Sequence, residues 1–208
     1  MEKNEHIAIK SEVIVEQIIQ KSKFIAYLKP VNSEVEAKEY LKEIKKLHPK
    51  ATHHCSAFRI GDIERSNDDG EPSSSAGLPM LQVLRGNNLQ NIAAVVVRYY
   101  GGILLGVGGL IRAYGSSVTL SVEAATLLVP KEVFVYEAIF PYSSINDVEM
   151  FFSDYGETID RDYQESVKYI LEAKRQIIVD DYKDITRGNG SIELVNSYFK
   201  YVEENYEA

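Results

Sequence analysis

Two stretches hold most of the residues whose types and spacing suit chemistry. The first, "SNDDGEPSSSAGLPML" (residues 66–81), sets Asp68, Asp69 and Glu71 within four positions and follows them with Ser73, Ser74 and Ser75. Carboxylates this close can supply a general acid and base or hold a divalent cation through oxygen ligands. In a polar loop the same groups also hydrogen-bond their own backbone. The serines lack a G-x-S-x-G elbow, and no histidine is tied to them by spacing, so a loop or helix cap is the better reading than a hydrolase nucleophile.

The second stretch, "RYYGGILLGVGGLIRAYG" (residues 98–115), contains six of the chain's 13 glycines, two arginines, and no lysine or acid. Gly101 to Gly106 has Walker spacing, but Val107 stands where lysine is required. After Gly106 and Gly108, Ile111 takes the place of the last glycine of a dinucleotide fingerprint. What remains is strand, turn and helix, with Gly108 and Gly109 expected at the helix start, where free N–H groups and the helix dipole favour an anion. Close backbone packing, which glycine permits, is the competing reading.

Between residues 72 and 122 the only charged side chains are Arg85, Arg98 and Arg112, interleaved with Tyr99, Tyr100 and Tyr114. This local cationic region suits stacking on bases, or structural arginines and packed tyrosines. His53, His54 and Cys55 look like metal ligands at first. On a strand His54 faces away from the other two, and no second cysteine or paired histidine completes a tetrahedral site. Cys55, beside Ala57 and Phe58, reads as a buried inert thiol. No metal or cofactor is expected.

The elements that must position these groups follow from periodicity. Val13/Val15 and Phe24 to Leu28 predict a strand pair. Ser33 can cap a helix whose apolar positions are Ala37, Tyr40, Leu41, Ile44 and Leu47, ending before Pro49. "THHCSAFRIG" is β-leaning, "GDIERSNDDGEPSSSAG" reads as one long polar loop, and "LPMLQVLRG" as a short helix closed by Gly86. "IAAVVVRYY" predicts a strand buried on both faces, and Leu110 to Leu128 a buried central helix, broken at Val129-Pro130. The remainder reads β-α-β-β-α-β, the ferredoxin-like order, with Gly156 suited to a left-handed helix end. Domains 1–129 and 130–208 result.

Composition bounds the function. With 45% hydrophobic and 26% charged residues the chain is an ordinary globular protein. It has no unbroken apolar run of 18 residues, no signal-peptide pattern and one cysteine, so a cytoplasmic protein without a membrane partner or internal disulfide is expected. The net charge of −8 is uneven: residues 1–129 carry 15 basic and 14 acidic groups, residues 130–208 carry 8 and 17. A nucleic-acid binder usually shows a strongly basic domain, so any RNA contact here must be local. The acidic second domain would suit a basic protein partner.

The two quoted stretches resemble the paired signatures of the IMPACT family, including its bacterial YigZ-like members, and the likeness extends along the chain. Position by position it points to Asp68, Asp69, Gly70, Glu71, Pro72, Ala76, Gly77 and Pro79 in the first signature. In the second it points to Arg98, Tyr99, Gly101, Gly102, Gly106, Gly108, Gly109, Arg112, Ala113, Tyr114 and Gly115. The resemblance implies an α+β protein of two domains: a two-layer α/β domain similar to domain IV of elongation factor G, then a ferredoxin-like domain similar to its domain V. It also implies a non-enzymatic role in regulating translation, with RNA, the ribosome or a ribosome-associated protein as partner. The sequence departs from the usual signature at Ser74-Ser75 (Gly-Thr is common), at Leu78 and Leu104 (Lys) and at Val107 (Thr). Losing two cations and a hydroxyl argues against a bound phosphate.

The two stretches admit two readings. In the first, the Asp68 to Gly77 loop and the Gly101 to Gly109 turn form a face for RNA or a ribosome-associated partner, with Arg98 and Arg112 reaching solvent. In the second, Asp68, Asp69 and Glu71 face an anion held at Gly108/Gly109, as in a nucleotide- or phosphate-binding enzyme.

Overall fold

In the computed structural model, which describes residues 6–204, the first half of the chain is built around one five-stranded sheet. After the two-residue strand β1 (Ala8–Ile9), alternating apolar residues form β2 (Val13–Ile19) and β3 (Ser22–Pro30), followed by β4 (His53–Ile60), β5 (Ile63–Asn67) and β6 (Ile92–Tyr99). The sheet order is β2-β3-β6-β4-β5 and every pairing is antiparallel. The Val-rich β6 lies at the centre, with every residue from Ile92 to Arg98 buried. That burial is what its unbroken apolar run predicts.

Helices cover both faces. On one, Ala37, Tyr40 and Ile44 of α1 (Glu34–Leu47) pack on Ile25, Tyr27, Phe58, Val95 and Val97. On the other, α2 (Gly77–Gly86) and α3 (Gly106–Glu123) set Met80, Leu84, Leu110, Tyr114 and Val118 against Phe24, Cys55, Ala94 and Val96. The sheet and the α2/α3 layer make the expected two layers, and α1 adds cover to the opposite face. Each fully buried Val, Leu, Ile or Phe contributes roughly 1.5–3 kcal/mol. Ser33 caps α1 as predicted, its Oγ accepting the Glu36 N–H at 3.2 Å.

Three local expectations are corrected. The polar segment after Gly61 is a strand, β5, before it is a loop: it is an edge strand whose side chains are mostly solvated, so its pattern carries no apolar alternation. The central helix is displaced toward the glycines, Gly106–Glu123 in place of Leu110 to Leu128, because Leu127 and Leu128 pair with Ile9 and Ala8 in a strand. That strand, β7 (Leu127–Phe140), runs through Pro130 without a break.

The chain divides into two compact units, one running to Val129 and taking in Glu203, the other covering Pro130–Val202. The second contains β7 from Pro130 on, α4 (Ile145–Ser153), β8 (Gly156–Tyr163), β9 (Val167–Ala173), α5 (Val179–Ile185) and β10 (Ser191–Glu203) up to Val202. Its strands lie in the order β10-β7-β9-β8, the ferredoxin-like arrangement of a β-α-β-β-α-β chain. Phe140, Phe152, Tyr169 and Tyr182 fill its core, with Phe140 edge-on to Tyr169 at 5.0 Å. Among the described residues no helix is long and apolar enough to cross a membrane.

The left-handed conformation expected at Gly156 is corrected: its φ is not positive, and its role is close approach, since a Cβ there would lie 1.9 Å from the Glu172 carbonyl oxygen. Gly156→Ala forces the β8/β9 backbones apart. We expect the second unit to lose about 2 kcal/mol or more, within the range for strained core substitutions. A lowered urea midpoint read from its tyrosine signals checks this.

Candidate functional site

One carboxylate joins the two sequence stretches. Oε1 of Glu71, on the loop after β5, accepts hydrogen bonds from Arg98 Nη1 and from the Tyr114 hydroxyl, both at 2.7 Å. Arg98 is the penultimate residue of the central strand and Tyr114 lies in α3, so loop, sheet and helix meet at one atom. The Glu71 and Arg98 side chains are only 4% and 6% exposed. The Arg98 guanidinium lies 5.4 Å from the Phe24 ring centre and 5.5 Å from that of Tyr100. Its Nε is buried without a hydrogen-bond partner. The aromatic faces offset part of the cost of burying that cation.

Neighbouring groups anchor the loops on each side of this pair. Asp68 Oδ1 accepts the N–H groups of Ala76 (3.0 Å) and Gly77 (2.8 Å), and Oδ2 that of Ser74 (2.8 Å). It thus occupies the helix N-terminus of α2 with a carboxylate of the chain itself, the charge that position favours. Asp69 Oδ1 accepts from Lys45 Nζ at 2.8 Å and Oδ2 from the His54 N–H at 2.7 Å. Burial opposes ionisation of Asp69, but the hydrogen bonds from Lys45 and His54 outweigh it and hold this carboxyl below its ordinary value. His53 donates through Nδ1 to the Asp69 carbonyl at 2.8 Å, which leaves Nε2 3.9 Å from Glu71 Oε2. Pro72 accepts both the N–H and the hydroxyl of Ser75, at 3.0 and 2.6 Å, and Ser75 and Ala76 are buried.

Cys55 is buried and donates from Sγ to the Asp68 carbonyl at 3.0 Å. Burial, reinforced by the nearby carboxylates, pushes its thiol up to about 12, so it is no thiolate nucleophile near neutral pH. Among the described residues no three His, Cys, Asp or Glu side chains are grouped to hold a metal ion. Tyr99 is hydrogen-bonded to His48 at 2.9 Å, and His48 to Tyr27 at 2.6 Å, beneath α1.

These contacts correct the arrangement of acids facing an anion. Asp68 and Asp69 bind the loop's own neighbourhood. Glu71 does meet α3, but about one and a half turns beyond Gly108/Gly109, at Tyr114. The helix itself starts at Gly106, which has a φ of +68°, and its first residues carry no side-chain cap. Gly70 and Gly102 also have positive φ, 89° and 83°. Gly77 and Gly101 are contact glycines: a Cβ on Gly101 would fall 2.0 Å from the Lys21 carbonyl carbon, in the β2/β3 turn. The Gly101 N–H is held by Ser22 Oγ at 3.1 Å.

The part of the second stretch that faces solvent is apolar. Tyr100, Ile103, Leu104, Val107 and Ile111 are exposed, Leu104 by 85%. Of the three arginines in the cationic region, Arg98 is buried in its ion pair. Arg85 is bound to Glu64, and Arg112 is exposed over Gly108. The expectation that Arg98 and Arg112 both reach solvent therefore holds for Arg112 alone. Composition alone did not reveal this apolar face, since Ile103, Leu104 and Val107 fall in the glycine turn and Ile111 in the helix expected to be buried. The signal was present in the departures from the family signature: Leu104 and Val107 put apolar groups where polar ones are common, which marks surface positions.

The Impact N-terminal domain family model matches residues 20–122. The IMPACT family member YvyE of Bacillus subtilis is 46% identical over 137 residues, covering 64% of this chain and 63% of that protein. An IMPACT family member of Haemophilus influenzae is 39% identical over 184 residues, covering 84% of this chain and 87% of its own. A solved crystal structure described as that of a hypothetical protein aligns with a TM-score of 0.58 at 33% identity, covering 92% of this chain and 97% of that one.

Two outcomes follow from the geometry. Glu71→Ala leaves Arg98 buried without a counter-ion and is expected to cost about 3–5 kcal/mol, whereas adding Arg98→Met recovers a large part of the loss. Urea denaturation of the singles and the double measures this coupling. The Asp69 contribution is present above the unfolded carboxylate value of about 4 and is lost as pH falls through the lower native one. Stability followed from pH 6 to pH 2 should thus fall less steeply in Asp69→Asn than in the parent.

Proposed function

Because the chain belongs to the IMPACT family, we propose that it is a non-enzymatic, cytoplasmic binding protein related to the regulation of translation, and that its contact face is the glycine turn with the first half of α3. The observation that carries this reading is the division of labour within the two signatures. Asp68, Asp69, Glu71 and Arg98 are spent on internal contacts, while Tyr100, Ile103, Leu104, Val107, Ile111 and Arg112 are presented to solvent. A catalytic site needs groups free to touch a substrate. A binding face needs exposed apolar anchors.

The Asp68 to Gly77 loop, on this reading, braces the face from within and makes little contact of its own. The partner is the ribosome or a ribosome-associated protein. RNA contributes through Arg112 and the Tyr100 ring at most, because Arg98 is not available to a phosphate. Residues 1–129 form the contact domain, and the acidic domain 130–208 adds an electrostatic preference for basic surroundings.

Sedimentation of cell lysate on gradients at low and high salt tests the proposal. The protein should migrate with ribosomal particles at low salt, and Leu104→Asp should remove it from them more completely than Arg112→Ala. A contact resting on one or two phosphates loses little affinity with salt, whereas one resting on many falls steeply. Absence of co-migration at low salt, or loss only in Arg112→Ala, contradicts the proposal.

A further inference from the structure

We infer that the exposed side of α3 docks an acidic amphipathic helix of a partner protein. The inference rests on the reading of this side as the contact face and specifies what it contacts. Val107 and Ile111 stand four residues apart on one side of α3, Leu104 precedes the helix in the glycine turn, and all three are exposed. Tyr100 and Ile103 extend the patch onto the turn.

The glycines on the same side give the patch its shape. A Cβ added to Gly115 would meet nothing within 4 Å, and one added to Gly108 would meet only the end of the Arg112 side chain, at 3.6 Å. Among the described residues nothing packed against either position requires glycine, although a glycine within a helix costs about 1 kcal/mol against alanine. Gly108 precedes Arg112, and Gly115 follows Val107 and Ile111, in rows of α3 spaced by four residues. Such rows are the ridges into which another helix packs, and a missing side chain in a row lets its backbone come close.

Charge selects among occupants. Residues 72–122 contain no acid, Arg112 is exposed within the patch, and exposed Lys21 sits in the β2/β3 turn against Gly101. The positive end of the α3 dipole adds to both. An anionic occupant fits. A nucleic acid would match the charge but leave four aliphatic side chains, Ile103, Leu104, Val107 and Ile111, without partners. A helix carrying an apolar stripe flanked by Asp or Glu satisfies both features.

The test uses a displayed library of 16-residue helices, randomised on one face, selected on the whole protein. Enriched members should carry apolar residues at i, i+3 or i+4, and i+7 with net negative charge, and should bind Leu104→Asp and Gly115→Leu at least ten-fold more weakly than the parent. Gly115→Ala should raise the urea midpoint of the free protein, showing that the fold does not need this glycine. Failure of enrichment, basic or unpatterned winners, indifference to Leu104→Asp, or displacement of the winners by a poly-uridine oligonucleotide at equal concentration overturns the inference. So does self-association of the protein that Leu104→Asp abolishes, since the occupant is then a second copy. Failure here with ribosomal co-migration intact removes the helical partner alone; failure of both removes the contact face.

Discussion

The buried pair of Glu71 and Arg98 is the constraint on which the first unit depends. A carboxylate and a guanidinium are costly to withdraw from water, and each partner that their polar atoms find offsets part of that cost. The Tyr114 hydroxyl, the Ser22 hydroxyl and the rings of Phe24 and Tyr100 surround the pair. Since Glu71 comes from a loop, Arg98 from the central strand and Tyr114 from a helix, satisfying the charge fixes three elements against one another. The glycine turn can then be short, close-packed and uncapped, because its ends are held elsewhere.

This arrangement accounts for the acids and the cysteine whose types first suggested chemistry. Asp68 neutralises the start of α2, Asp69 ties the loop to Lys45 and to the β4 backbone, and Cys55 is closed off by burial. Each group has the chemistry expected of its type, and each uses it on the protein. In the second stretch the residues left to interact outward are mainly apolar, with the Arg112 cation among them.

Much of the fold was legible in the sequence. The period of two in β2 and β3, the Ser33 cap, the doubly buried β6 and the ferredoxin-like order of the second unit all follow from local patterns that tertiary packing reinforces. What was not legible depended on partners distant in sequence. Edge strand β5 needs only one neighbour, so its polar residues resemble a loop. The end of α3 is set by the pairing of Leu127 and Leu128 with β1, which no helical period announces. The candidate site was half visible: the glycines and acids marked the right segments, but the burial of Arg98 and the exposure of Leu104 reversed which of their residues face outward. A buried arginine and an exposed leucine are both exceptions to what residue type implies.

The central claim is that the acidic loop braces the face and the glycine turn with α3 makes the contact. Hydrogen exchange of the protein, free and with purified ribosomal particles, tests it most directly because it reads both segments in one experiment. The account predicts new protection confined to residues 100–116, with residues 66–77 unchanged. New protection of residues 66–77 with none over the turn and α3 would contradict it.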